Sequence, residues 1–143
     1  MADERILVID DDPVNLKLTR VLLSSEGYLV RTAADASEAL QVLKEFTPQL
    51  ILVDIQLPGI DGLELTRQLR RDPTTRNVPM VGLTAYAMKG DEERILAAGL
   101  DGYISKPIDT RTVPATIASY LRKQSPSTKV NRSALATDKN LRT

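Results

Sequence analysis

Leu50-Ile51-Leu52-Val53-Asp54-Ile55-Gln56-Leu57-Pro58-Gly59 is a run of aliphatic residues that ends in a single carboxylate and then turns. Bounded by Pro48 on one side and Pro58-Gly59 on the other, Leu50 to Val53 read as a strand buried on both faces, as strands of parallel sheets are. Asp54 then stands at the strand's carboxyl end. In open α/β sheets that edge is where ligands bind, so the fold and the site are both read from this stretch.

Outward from it, the chain alternates. Ile6 to Ile9 form a first buried strand ending in Asp10-Asp11-Asp12-Pro13, with Asp12 as N-cap and Pro13 at the first helical position. Val14, Leu18, Val21 and Leu22 recur at helical spacing and predict the core face of the first helix, which Gly27 stops. Tyr28 to Thr32 predict a second strand. Asp35 and Glu38 have capping-box spacing and open a helix with Ala39, Leu40, Leu43 and Phe46 on one face.

Beyond Asp54, Asp61-Gly62-Leu63-Glu64 opens a third helix with Leu65 and Leu69 inward, closed by Asp72-Pro73. Val78 to Thr84 predict the fourth strand, Met88 to Ala98 a charged fourth helix ended by Gly99, and Gly102 to Ser105 the fifth strand. The last helix starts near Asp109 and buries Val113, Ile117, Tyr120 and Leu121. Five strands alternating with five helices imply right-handed crossovers and a parallel sheet covered on both sides. From Ser125 the chain turns polar and mildly basic, so we expect one domain over residues 1–124 and a disordered tail or linker over 125–143.

Composition narrows the chemistry. The 143 residues suit one domain, and 19 basic residues balance 19 acidic ones, so no net field argues for nucleic acid or a membrane as partner. Cysteine and histidine are absent, which excludes disulfides, thiolate nucleophiles, Ser-His-Asp triads and most zinc sites. Oxygen ligands remain, and these suit magnesium, calcium or manganese. No signal segment or membrane-length apolar run is evident, and the expected location is the cytoplasm.

The strand ends form a set: Asp10, Asp11 and Asp12 after the first strand, Asp54 after the third, Thr84 after the fourth and Lys106 after the fifth. Carboxylates crowded into a cleft need a cation or a proton to coexist. A divalent magnesium on Asp11 and Asp54, with Asp10 helping directly or through water, meets that need; Lys106 adds a second positive charge and Thr84 a hydroxyl. These groups suit phosphoryl transfer to Asp54.

Ile6-Leu7-Val8-Ile9-Asp10-Asp11, Leu52 through Gly62, Leu83-Thr84-Ala85 and Ser105-Lys106-Pro107 resemble the signature of receiver domains of two-component response regulators. The resemblance covers about residues 4 to 123 and is greatest to stand-alone receivers of the DivK type and receiver modules of hybrid kinases. It implies a flavodoxin-like (CheY-like) sheet of order 2-1-3-4-5, magnesium on Asp10, Asp11 and Asp54 (manganese being a substitute), and transfer from a sensor histidine kinase or histidine phosphotransfer protein to Asp54. It also implies a cis Lys106-Pro107 bond, Thr84 and Tyr103 as switch residues, and Gln56 and Tyr86 as tuners of dephosphorylation. Output then passes to a protein partner through the face of the fourth helix, fifth strand and fifth helix, with no enzyme activity beyond the domain's own phosphorylation and dephosphorylation. The alternative is a docking module that ignores phosphate. A dehalogenase-like phosphatase would want an acid where Gln56 stands, and a flavodoxin a phosphate loop where three aspartates stand.

Overall fold

A computed structural model describes residues 4–57, 59, 61–85 and 89–123. The tail over 125–143, Tyr86, Pro58 and the Met88 helix start lie outside the described residues. Among the described residues the elements run β1 Arg5–Ile9, α1 Pro13–Ser25, β2 Leu29–Ala33, α2 Ala36–Leu43, β3 Leu50–Asp54, α3 Gly62–Arg71, β4 Met80–Thr84, α4 Lys89–Ala97, β5 Gly102–Ser105 and α5 Val113–Lys123. The strands are all parallel, in the order β2-β1-β3-β4-β5 that the resemblance implies.

Alternation along the central strands sorts two cores. Leu7, Ile9, Ile51 and Val53 pack with Ala39 of α2, Leu65 of α3 and Ile95 of α4, whereas Ile6, Val8, Leu50 and Leu52 pack with Leu23 of α1 and Ile117 of α5. Strands buried on both sides are why these segments are unbroken apolar runs. Aspartates start three of the helices: the side chains of Asp12, Asp35 and Asp61 accept from the N–H groups of Val14, Glu38 and Glu64. Glu38 reaches back as a capping box requires, but to the N–H of Ala34, one residue before the cap.

The boundaries shift at three places. β4 begins at Met80, two residues later than the sequence suggests, because Pro79 has no N–H for a ladder and Met80 N–H donates instead to Asp101 Oδ2. β2 starts at Leu29 and runs through Ala33, after Gly27 closes α1 with a φ of 96°. α5 begins at Val113, not Asp109; the preceding turn is held by Thr112 and Val113 N–H on Asp109 O.

Two helix faces differ from expectation. On α1, Val14, Leu18 and Val21 are 74%, 39% and 49% exposed, and Thr19 and Leu23 are buried in their stead, with Leu16 and Leu22 half-buried. That helix is apolar on two sides, and the rotation set by its cap and by β1 decides which side the sheet takes. On α2, Leu40 is exposed and Val42 takes the inner position beside Ala36 and Ala39.

The rotation of α1 leaves Thr19 Oγ1 fully buried without a hydrogen-bond partner among the described residues. A buried hydroxyl in that state costs about 1–3 kcal/mol. Thr19→Val keeps the shape and removes the hydroxyl, so it should raise the urea midpoint by the equivalent of about 1 kcal/mol with an unchanged slope. A lowered midpoint would mean that the hydroxyl is bonded in solution.

Candidate functional site

The carboxyl ends of β1, β3, β4 and β5 converge. β3 and β4 are in register with Asp54 opposite Leu83, and β4 and β5 with Thr84 opposite Ser105. Backbone bonds tie the ends together: Asp10 N–H donates to Ala33 O at 3.0 Å, Ile55 N–H to Leu83 O at 3.0 Å and Lys106 N–H to Thr84 O at 2.8 Å. The side chains after the strands are therefore fixed by the sheet.

Asp10, Asp54 and Thr84 are buried, and Asp11 is exposed at the rim. One carboxylate oxygen from each of Asp10, Asp11 and Asp54 lies within 4.8 Å of the other two. Lys106 Nζ stands 3.0 Å from Asp54 Oδ2 and 3.6 Å from Asp10 Oδ2. Asp54 Oδ1 accepts from Gln56 N–H at 2.9 Å, and Asp10 Oδ1 from Asp12 N–H at 3.0 Å. Asp10 Oδ2 is buried without a hydrogen-bond partner among the described residues.

The charges strain against one another. Burial pushes the Asp10 carboxyl from 3.8 up to about 6; the Asp12 N–H works against this, the neighbouring Asp54 carboxylate adds to it, and Lys106 opposes it. For Lys106, burial disfavours the ammonium, but its hydrogen bond to Asp54 and the negative charges of Asp10 and Asp54 outweigh burial and hold its pKa above the ordinary lysine value. One ammonium against three acids leaves the cluster short of positive charge. The Asp10 oxygen without a hydrogen bond and the all-carboxylate donor set fit a hard divalent cation such as magnesium.

The structure brings Asp10, Asp11, Asp54 and Lys106 into one cluster, with Thr84 tied to it through the backbone of Lys106. The Lys106-Pro107 bond is cis, matching the expectation. Gln56 is exposed beside Asp54, and Tyr103 is half-buried against the core of the α2, α3 and α4 side. Two features went unread in the sequence. The exposed side of α1 begins at Val14, two residues beyond Asp12, and could have been suspected because the helix carries apolar residues on both sides. Gly62 sits against the Asp54 backbone, and its signal was a glycine in a helical first turn, where the residue is disfavoured.

The family model for the response regulator receiver domain matches residues 6–118. The chain is 45% identical over 116 residues to the polar-differentiation response regulator DivK of Brucella anthropi, covering 81% of this chain and 94% of that protein, and equally so to DivK of Brucella ovis. Among solved structures it is similar to the receiver domain of a sensor histidine kinase from Pseudomonas aeruginosa PAO1, which has a magnesium ion coordinated in its active-site cleft. That match has 34% identity and a TM-score of 0.77, and covers 85% of this chain and 99% of the other. A CheY-like receiver domain protein from Methanospirillum hungatei is also 34% identical with a TM-score of 0.78, covering 85% and 96%.

Proposed function

The chain belongs to the response regulator receiver domain family, and from that premise we propose that it accepts a phosphoryl group on Asp54 and switches its affinity for a protein partner. The observation that carries the reading is Lys106 Nζ at 3.0 Å from Asp54 Oδ2 within a cluster of three aspartates. In the transfer, the phosphorus–nitrogen bond of a donor phosphohistidine breaks as a bond from an Asp54 carboxylate oxygen forms, and the leaving imidazole takes up a proton. Asp10, Asp11 and Asp54 would hold magnesium, or manganese in its place. Bound there, the metal supplies positive charge to the oxygens of the transferring group. Lys106 follows the new charge from the carboxylate to a phosphoryl oxygen, and the Thr84 hydroxyl donates to another. Tyr103 takes up space that Thr84 leaves, which alters the face of α4, β5 and α5 presented to the partner. Gln56 and Tyr86 govern the approach of water that later removes the phosphate.

The donor is a sensor histidine kinase or a histidine phosphotransfer protein, and the working compartment is the cytoplasm. The exposed Val14, Leu18 and Val21 support protein docking beside the site, since the stripe starts in the turn that follows Asp12. Leu18→Asp should slow transfer from a protein phosphodonor about tenfold or more, as loss of a buried apolar anchor does, and leave the rate with acetyl phosphate unchanged. Equal loss with both donors would remove α1 from the docking face. Residues 1–124 form the switch domain and residues 125–143 its polar tail.

Acetyl phosphate with magnesium tests the chemistry. Intact-mass measurement should find one added phosphoryl group, absent in Asp54→Ala. No addition, or the same yield in Asp54→Ala, overturns the proposal. Pull-downs with and without phosphodonor then test the switch, and equal recovery in both favours the docking module.

A further inference from the structure

Gly62 is the first residue of α3, and its N–H donates to Ile55 O at 2.8 Å. A Cβ built there would lie 2.1 Å from Asp54 O, 2.8 Å from Ile55 Cα and 2.9 Å from Asp54 C. All three atoms are backbone, so none can swing aside as a side chain would. The peptide they belong to is itself held, because Ile55 N–H donates to Leu83 O across the sheet. The helix cannot retreat cheaply either: Leu63 and Leu65 are buried in the core beneath it, and Asp61 caps it through Glu64 N–H.

Other glycines make different demands. Gly59 has a φ of +78° and open space where a Cβ would go, so conformation alone requires it. At Gly82 the nearest atoms are the ends of Ile55 and Leu100 at 3.1 Å, which can rotate. Gly62 is helical, where glycine is a poor choice for the backbone, and what it provides is clearance under Asp54.

We infer that Gly62 is a positioning residue: it lets α3 start in contact with the Asp54 backbone and so fixes where the Asp54 carboxylate stands relative to Lys106 and Asp10. This rests on the reading of Asp54 as phosphoacceptor. An added methyl group has to displace the Asp54–Ile55 peptide, and a displacement near 1 Å at a reacting group costs on the order of 100-fold in rate.

The test compares Gly62→Ala with Gly99→Ala, whose strain (φ +110°) lies at the far end of α4. Each is made alone and in the Thr19→Val background. Rates with acetyl phosphate at saturating magnesium are expressed per folded molecule by circular dichroism, and magnesium affinity is measured by calorimetry. Gly62→Ala should lose roughly 10- to 100-fold in rate and several-fold in magnesium affinity, while Gly99→Ala loses stability but keeps both within about twofold. A Gly62→Ala protein with native rate and magnesium affinity overturns the inference. So does failure to fold in both backgrounds, which would make Gly62 a requirement of the fold as a whole. If the native protein itself takes no phosphoryl group on Asp54, the underlying reading fails instead.

Discussion

Asp10→Asn should make the metal-free protein more stable at neutral pH than the native sequence, while removing most of its affinity for magnesium. Asp10 has no exposed surface, its Oδ2 has no hydrogen-bond donor among the described residues beyond the longer 3.6 Å ion pair to Lys106, and its pKa is pushed from 3.8 to about 6, chiefly by burial. The folded-state value lies above the unfolded one, so the folded protein binds the extra proton between them. The contribution of Asp10 is therefore most favourable below about pH 4, declines as pH rises through the window from 3.8 to about 6, and stays low above it. A shift of that size corresponds to roughly 2–3 kcal/mol. Asparagine keeps the acceptor for Asp12 N–H and carries no charge to desolvate. Urea denaturation in a chelator should place the variant ahead by about 2 kcal/mol at pH 7, with the advantage vanishing near pH 4. Magnesium should then close the gap by stabilising only the native sequence. No gain at pH 7 would show that Lys106 alone compensates the Asp10 charge.

Arg70→Ala should cost about 3 kcal/mol, a large loss for a charged residue outside both apolar cores and the cluster of acids. From α3 the guanidinium donates to Gly99 O at 2.8 Å, Arg76 O at 2.8 Å, Val78 O at 2.7 Å and Asp101 Oδ2 at 2.9 Å. Asp101 Oδ2 in turn accepts from Met80 N–H, so one side chain joins the end of α3, the entry to β4 and the turn between α4 and β5. Truncation leaves three carbonyls and a carboxylate without this donor in a partly buried corner, and exposure of the Arg70 side chain to only 22% limits replacement by water. Arg70→Lys should recover less than half of the loss, since one ammonium cannot span the fork. Thermal unfolding of the two variants checks both figures; a fall below 1 kcal/mol would mean that water satisfies these carbonyls as well as the arginine does.

The contrast between these two residues explains what could be read in advance. Asp10 and Asp54 are legible because each ends a run of four apolar residues, and a parallel sheet brings such ends to one edge whatever the loops do. Arg70 was not legible, since Leu69-Arg70-Arg71-Asp72 reads as a solvated helix end and its partners lie up to 31 positions away. The helical spacing of Val14, Leu18 and Val21 points them at the core; spacing gives an apolar stripe but not the rotation that buries it when a second stripe competes. Leu40 and Val42 differ for the same reason. Pro79 shows a smaller effect, where an apolar run continues past the point at which the backbone can pair.

The ion pair of Lys106 with Asp54 closes a separation of 52 positions. On the ribosome the chain emerges from its first residue, so Asp10, Asp11 and Asp54 exist, with β1 and β3 to bring them together, before the ammonium that offsets them has been made. A nascent chain that pairs β1 with β3 at that stage gathers three like charges at one edge, and their repulsion opposes the pairing. Docking of β5 delivers the missing cation. Completion of the charge set is thereby tied to completion of the sheet, and a chain interrupted between β3 and β5 needs a cation or a proton from solution to hold its acids together.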